Sequence, residues 1–143
     1  MKVALVVLFT FVAFVNATHS DGSRTMRDLF KLYSERVYGK KYDLIRSMYD
    51  TNGVTVEGGK RAFFGPEAIS NAIRGYHNEL GEGKNTLNFN ERFEQLGDNL
   101  LYYYSDYKTD LSDRTIEGHY WQIWKKSTDG SWKIIHDEFT IRE

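Results

Sequence analysis

The sequence contains no cysteine and a single proline, Pro66. The absence of cysteine excludes disulfide bonds, cysteine nucleophiles and zinc sites built on thiolates. The fold must therefore be stabilised by its apolar core. The 143 residues suit one domain, and 41% of them are hydrophobic, which is enough for a core of that size.

An excess of positive charge is also absent, since 19 Lys and Arg stand against 20 Asp and Glu. We therefore expect neither nucleic acid nor an anionic membrane surface as a partner. The sequence has no Gly-x-Ser-x-Gly elbow and no glycine-rich phosphate loop. In the strand register derived below, His119 and His136 lie about 13 Å apart, too far to share a metal ion. We expect no metal and no other cofactor.

The N-terminus has the pattern of a secretory signal peptide. A short basic start is followed by an apolar run from Val3 to Val15 and by Ala17 at a plausible cleavage point. The apolar run is too short to span a bilayer comfortably. We therefore expect residues 1–17 to be a signal peptide, residues 18–143 to form one domain, and the mature protein to be secreted.

Three segments have the apolar periodicity of helices. The first begins at Thr25-Met26-Arg27-Asp28, which resembles a capping box, and ends near Gly39. The second is short and covers Tyr42 to Tyr49. The third begins at Gly65-Pro66-Glu67, where the proline and the acidic residue favour a first turn, and it ends at Gly81.

The rest of the chain alternates with the period of β-strands. A short strand is predicted at Val54–Glu57, and four long strands are predicted at Thr86–Gln95, Leu100–Lys108, Arg114–Lys126 and Trp132–Arg142. Turn residues at hairpin spacing separate the long strands. Helices followed by a meander of strands indicate an α+β fold.

Two of these strands carry large side chains on both faces. Residues 119–124 read His-Tyr-Trp-Gln-Ile-Trp, and residues 102–104 are three tyrosines. A sheet exposed to water on one face alternates cleanly, so this sheet is expected to be covered on both. The simplest interpretation places helices and a pocket on one face and the second subunit of a homodimer on the other. The alternative is an irregular edge packed by loops.

The order helix, helix, strand, helix and four strands resembles the nuclear transport factor 2-like superfamily, in its SnoaL-like branch. The resemblance is carried by Met48-Tyr49-Asp50, by Gly65-Pro66-Glu67-Ala68-Ile69, and by the closing pattern from Gly118 to Ile134. It implies three helices packed on a strongly curved, mostly antiparallel sheet, forming a cone with an interior pocket. The superfamily includes isomerases, cyclases, dehydratases, binding domains and oligomerisation modules, so function must be argued from the site.

Set beside the ketosteroid isomerases of that superfamily, the segment from Tyr33 to Glu57 aligns without a gap. The resemblance implies that Glu57 is a general base and that Tyr33 donates to an enolate oxygen, with Tyr49 in support. It places Gln122 where those enzymes carry a protonated aspartic acid. This chain differs in having Gly58 after the base and Ile73 at a network tyrosine position.

Glu57 and Tyr33 each have a second interpretation. Glu57 precedes Gly58-Gly59-Lys60-Arg61, so it can equally be an acid at a strand end that pairs with a nearby base. Tyr33 lies on the apolar face of the first helix, where a core tyrosine with one bonded hydroxyl is ordinary.

A last hairpin centred on Asp129-Gly130 sets the register of the final strands. Gln122 then lies opposite Asp137 and Tyr120 lies opposite Phe139, with Trp124 on the same side. The opposite side carries His119, Trp121, Ile123, His136 and Glu138. The resemblance favours the Gln122 side as the concave one. The predicted ligand-binding residues are Tyr49, Tyr104, Tyr120, Trp124 and Asp137.

Three functions fit these observations. The first is a secreted protein that binds a small apolar or steroid-like molecule. The second is an isomerase- or cyclase-like enzyme that uses Glu57, Tyr33 and Gln122. The third is a dimeric protein-interaction module whose convex sheet is the functional surface.

Overall fold

The computed structural model describes residues 21–81, 83 and 85–142. The expected signal peptide, residues 1–17, lies outside them. The helices are α1 (residues 21–38), α2 (Tyr42–Arg46) and α3 (Pro66–Leu80). The strands are β1 (Tyr49–Glu57), β2 (Arg61–Phe64), β3 (Asn85–Gln95), β4 (Leu100–Asp110), β5 (Thr115–Lys126) and β6 (Trp132–Phe139).

The six strands form one sheet in the order β2-β1-β6-β5-β4-β3. All neighbours are antiparallel except β1 and β6, which run parallel. Register shifts interrupt the β3–β4 and β5–β6 pairs, and Asn90 in the first of these has a positive φ of 54°. Such bulges bend a strand and increase its twist, which lets the sheet curve around one face. The predicted α+β fold with a curved, mostly antiparallel sheet is confirmed.

The two faces of the sheet differ in what covers them. The inner face carries Ile116, Tyr120, Gln122 and Trp124 of β5, and α1 and α3 pack over it. The outer face carries the alternate residues of the same strand, including Trp121. Gln122 pairs with Asp137 and Tyr120 pairs with Phe139, so the predicted register and the predicted concave side are both confirmed.

The core lies between the helices and the inner face. Its fully buried side chains come from every layer and include Met26, Ile45, Ile69, Leu101, Tyr103, Trp124 and Ile134. Phe30 of α1 stacks on Tyr103 with ring centroids 3.7 Å apart, which fixes α1 against β4. Each large apolar side chain that is fully buried stabilises the fold by roughly 1.5–3 kcal/mol, so this core can hold the domain without disulfides.

The start of α1 differs from the prediction. The structure is already helical at residue 21, and the hydroxyl of Thr25 donates to the carbonyl oxygen of Asp21 one turn earlier. Thr25 therefore lies inside the helix and caps nothing. The apolar face that begins at Met26 marks the buried part of the helix. The polar turn before Met26 is helical as well.

The segment after α1 also differs. Helix α2 ends at Arg46, and Tyr49 belongs to β1, where it pairs with Ile134 of β6. The apolar pattern of Tyr42–Tyr49 predicts Leu44, Ile45 and Met48 on one buried side of a helix; Ile45 and Met48 are buried, but Leu44 is 46% exposed. Pairing with β6 outweighs the local helical pattern at this point. The short strand β2 was not predicted, because its four residues do not alternate clearly.

None of the helices in the described part of the chain is long and apolar enough to cross a membrane.

Candidate functional site

A cavity of about 520 Å³ lies between α1, α3 and the inner face of the sheet. Most of its wall is apolar. The apolar side chains come from α1 and α3, from β5 and β6, and from the segments that follow β4 and β6. These apolar side chains are Phe30, Val37, Ile73, Leu80, Leu111, Ile116, Phe139 and Ile141. The volume and the apolar wall are typical of small-molecule sites.

The cavity has a buried end and an exposed end. Tyr33, which is 8% exposed, and Tyr120 line the buried end, where their rings stack with centroids 6.4 Å apart. Tyr38, Lys40 and Asn88 line the exposed end. A molecule entering from solvent therefore passes Lys40 first and meets the two tyrosines last.

A buried carboxyl group, that of Asp137 on β6, lies behind the tyrosine end. The hydroxyl of Tyr33 donates to Oδ2 of Asp137 at 3.3 Å, and the hydroxyl of Tyr49 donates to the same oxygen. The hydroxyls of Tyr33 and Tyr49 are themselves 3.2 Å apart. Asp137 is 2% exposed and does not line the cavity, so it reaches a ligand only through Tyr33.

Burial sets the protonation of this cluster. Desolvation raises the pKa of Asp137 to about 6, although the hydrogen bonds from Tyr49 and Tyr33 and the nearby Gln122 amide lower it. Desolvation, together with the charge of Asp137, raises the pKa of Tyr33, Tyr49 and Tyr120 well above the ordinary value. The three phenols therefore stay protonated at all ordinary pH, while Asp137 changes charge near neutrality.

Gln122 extends the cluster away from the cavity. Its Oε1 accepts a bond of 2.9 Å from Nε1 of Trp124, and both side chains are fully buried. Among the described residues, four buried polar atoms around Asp137 lack a hydrogen bond of good geometry: Thr55 Oγ1, Tyr120 Oη, Gln122 Nε2 and Asp137 Oδ1. Thr55 and Gln122 are the residues paired with Asp137 on the two neighbouring strands. The cluster thus has unused hydrogen-bonding capacity beside the cavity.

Glu57 is placed in a different group. Its carboxylate accepts bonds of 2.8 Å from Lys60 Nζ and Arg61 Nε, and a bond of 2.6 Å from the hydroxyl of Tyr76. Burial would raise the pKa of Glu57, but the bonds from Lys60, Tyr76 and Arg61 outweigh it and lower the pKa to about 2. Glu57 does not line the cavity, whereas Tyr76 does.

The structure therefore brings only some of the predicted site residues together. Tyr33, Tyr49, Tyr120, Gln122, Trp124 and Asp137 form one buried cluster, and only Tyr33 and Tyr120 of these touch the cavity. Glu57 does not join that cluster. Tyr104 lies on the outer face, where it stacks on His119 and donates to Asp106 at 2.8 Å. Tyr103, the adjacent residue on β4, faces inward instead.

Comparison with known proteins supports the fold and leaves the site unassigned. No protein-family model matches the sequence, and no curated protein matches it either. Among solved structures, a nuclear transport factor 2-like protein of unknown function from Pseudomonas putida KT2440 superposes with a TM-score of 0.72 at 13% identity, covering 85% of this chain and 87% of that one. A ketosteroid isomerase-like protein from Erwinia carotovora atroseptica SCRI1043 gives 0.70 at 12% identity, covering 82% and 94%.

A candidate calcium/calmodulin dependent protein kinase II association domain from Xanthomonas campestris gives a TM-score of 0.69 at 17% identity, covering 83% of this chain and 86% of that one. The chain has the nuclear transport factor 2-like fold. The predicted resemblance is confirmed at the level of the fold. At these identities the likeness carries no function across, so the residues in the cavity must decide it.

Several residues at the cavity of this nuclear transport factor 2-like fold were not singled out from the sequence. His77 lies beside Tyr76 on α3, and Lys40 follows the end of α1. Tyr107 also lines the cavity, and its hydroxyl donates to the carbonyl oxygen of Thr140 at 2.6 Å. Tyr76 and Leu80 are four residues apart on the apolar face of α3, which indicates that this face points to the cavity. No feature of the sequence indicates the position of Lys40.

Within residues 21–81, 83 and 85–142, no three His, Asp or Glu side chains lie close enough together to hold a metal ion.

Proposed function

We propose that this is a secreted protein that binds a small, largely apolar molecule of about steroid size in the cavity. The observation that carries the proposal is the cavity of about 520 Å³ with its mainly apolar wall and its two tyrosines at the buried end. The wall supplies the hydrophobic contribution to binding, and the hydroxyl of Tyr120, unpaired within the described residues, supplies a point of specificity.

The charge state of Glu57 favours binding over catalysis. A general base must reach the proton that it removes and must have a pKa near the working pH. Glu57 meets neither condition, because it lies behind Tyr76 and three bonds lower its pKa to about 2. No carboxylate of the described residues lines the cavity. The isomerase interpretation therefore lacks the base that the resemblance assigned to it.

Native mass spectrometry of the protein secreted from a eukaryotic host tests this proposal. We expect a discrete small molecule to accompany the folded protein and to be lost in Thr109→Trp, which fills the cavity from β4. Lys108→Trp is the matched control, because the neighbouring Lys108 is exposed and does not line the cavity. Retention of the same molecule by Thr109→Trp would contradict the proposal, as would a wild-type protein that carries nothing and takes up nothing from a lipid extract.

A second function, acid–base catalysis, is favoured by the buried Asp137 cluster. Asp137, with a pKa of about 6, is hydrogen-bonded to Tyr33 at the wall of the cavity, so Tyr33 can pass its proton to a bound carbonyl oxygen while protonated Asp137 returns one to Tyr33. Tyr33 and Tyr120 are placed to donate to the oxygen of an enolate.

The test of this second function is the conversion of a β,γ-unsaturated ketone into its conjugated isomer, followed by ultraviolet absorbance. Removing one oxyanion donor typically lowers kcat by a factor of about 10²–10³, so Tyr33→Phe should lower turnover to that extent while ligand binding is retained. Full activity in Glu57→Gln would confirm that the base lies elsewhere. No turnover by the wild type would reject the second function and leave the binding proposal intact.

We also propose that the chain forms a homodimer through the outer face of the sheet. That face carries a continuous set of large side chains, among them Val54, Tyr102, Trp121 and His136, and Trp121 stacks on His136 with centroids 4.3 Å apart. No described element covers them. The likeness to an association domain of the same fold supports assembly through a shared surface.

Native mass spectrometry over a range of protein concentrations tests the dimer. Trp121→Glu should shift the equilibrium to the monomer, because it buries a charge in the proposed interface. Leu32→Glu, on the exposed side of α1, should leave the dimer unchanged. A wild-type monomer at high concentration would reject this part of the proposal.

A further inference from the structure

The phenols around Asp137 have fixed hydrogen-bonding roles. Oδ2 of Asp137 accepts a hydrogen bond of 3.3 Å from the hydroxyl of Tyr33 and another from the hydroxyl of Tyr49. Each phenol has one hydrogen, so the carboxylate uses both of them. Of these three side chains only Tyr33 lines the cavity. While Asp137 is ionised, Tyr33 therefore offers a ligand the lone pairs of its oxygen and no hydrogen.

Tyr120 has the opposite role. Its hydroxyl oxygen is buried and makes no hydrogen bond of good geometry with any described residue, and its side chain lines the same end of the cavity. Its ring lies 17° from parallel to that of Tyr33, with centroids 6.4 Å apart. A buried hydroxyl without a partner gains from a ligand that accepts its hydrogen. The buried end thus presents an acceptor, Tyr33, beside a donor, Tyr120.

A ligand hydroxyl matches both groups, because it donates to one and accepts from the other. A ketone oxygen only accepts, so it matches Tyr120 alone. To gain a second hydrogen bond, a ketone would have to take the Tyr33 hydrogen from a carboxylate. Hydrogen bonds to an ionised acceptor are roughly twice as strong as those between neutral groups, so the carboxylate keeps that hydrogen. The Tyr33 hydrogen becomes available to a ketone only when Asp137 carries a proton of its own.

Resting on the proposed binding function, we infer that the ligand carries a hydroxyl group at its buried end, which donates to Tyr33 and accepts from Tyr120, and that Asp137 selects this group over a ketone. Asp137 is a positioning residue here, because it contacts Tyr33 and does not line the cavity. The ligand class is therefore an apolar alcohol.

This selection follows the proton on Asp137. The titratable groups around its carboxyl group are Tyr33 of α1, Tyr49 of β1 and Tyr120 of β5, and all three stay protonated because their pKa is raised. On β6 itself, His136 lies on the outer face, and its charge lowers the pKa of Asp137. Burial outweighs that effect and raises the pKa to about 6. We therefore expect the selection above that pH and its loss below it.

A ketone and the alcohol made by reducing it test the inference. 2-Acetylnaphthalene and 1-(2-naphthyl)ethanol share one ring system, and neither ionises between pH 5 and pH 8. Isothermal titration calorimetry gives both dissociation constants, and the quantity compared is the Kd of the ketone divided by the Kd of the alcohol. We expect this ratio to rise about three- to tenfold from pH 5 to pH 8, the factor that one hydrogen bond provides.

The variants assign the effect to Asp137. Asp137→Asn stays neutral, so its ratio should be the same at both pH values. Tyr33→Phe keeps the carboxyl group but removes the acceptor, and it should abolish the pH dependence while both probes still bind. His77→Gln is the matched control, because His77 lines the cavity and also titrates, with a pKa lowered by burial. Its ratio should change with pH as in the wild type.

Three results would overturn the inference. If both probes bind the wild type with a ratio that is the same at pH 5 and pH 8, the cavity binds ligands but Asp137 does not select among them. The same conclusion follows if Asp137→Asn or Tyr33→Phe keeps the pH dependence, or if His77→Gln loses it. If neither probe binds the wild type, or if both bind equally well to Thr109→Trp, the cavity is not the binding site, and the proposed function fails with the inference.

Discussion

Asp137→Asn removes a buried charge while keeping the size and the acceptor oxygen of the side chain. The folded protein holds the Asp137 proton more tightly than the unfolded chain, because burial raises the pKa from 3.8 to about 6. The contribution of the protonated Asp137 to the free energy of unfolding is fully present below about pH 4. It is lost as the pH rises through 6. A shift of about two pKa units corresponds to about 3 kcal/mol in the free energy of unfolding.

Asp137→Asn should therefore be more stable than the wild type above pH 7, by up to about 3 kcal/mol. The measurement is urea denaturation of both proteins from pH 4 to pH 8, and the quantity compared is the difference between their free energies of unfolding. Groups common to both proteins cancel in that difference. If the difference stays constant, or if the wild type gains stability over the variant as the pH rises, Asp137 is ionised in the folded protein throughout and burial does not raise its pKa.

Three further changes test other parts of the structure. Glu57→Gln should lower the free energy of unfolding at pH 7 by about 1 kcal/mol, a small value because Lys60 and Arg61 are half exposed. The pKa of Glu57 is lowered from 4.5 to about 2, so the contribution is present above pH 4.5, and urea titrations should show the difference vanish as the pH falls to 2. Lys40→Gly should raise the midpoint of thermal unfolding, because glycine adopts φ +53° without strain, and a lower midpoint would contradict this. Gly118→Ala should destabilise by about 1–3 kcal/mol in urea titrations, because a Cβ there would lie 2.0 Å from the carbonyl oxygen of Thr140, and equal stability would contradict that contact.

The long strands of the sheet are predictable from the sequence because they carry two independent signals. Alternation gives the strand, and a turn such as Asp129-Gly130 gives the register, so the pairing of Gln122 with Asp137 follows from the amino-acid pattern alone. Tyr49 shows where this fails. Tyr49 belongs to a strand because it pairs in parallel with β6, about 85 residues further along the chain. Local periodicity gives no information about such a distant pairing.

The site is harder to predict than the fold because adjacent residues on a strand face opposite ways. Tyr103 and Tyr104 are chemically identical, and only the register against β5 places the first inside and the second against His119. The sequence indicates Asp137 as a ligand-binding residue, but its role behind Tyr33 depends on a contact between α1 and β6. Lys40 has no sequence signal, because its position follows from how α1 ends.

The two carboxyl groups of the inner face have opposite pKa shifts, and both are separated from the cavity by a tyrosine. Tyr76 bonds Glu57 at 2.6 Å, and Tyr33 bonds Asp137 at 3.3 Å. A ligand therefore meets phenols where it would otherwise meet carboxylates. Because neither carboxyl group reaches the wall, the described lining contains no carboxylate. Removing either tyrosine ring, by Tyr76→Ala or Tyr33→Ala, would expose a carboxyl group to the cavity. Binding of an acidic ligand should then weaken more than binding of its uncharged analogue.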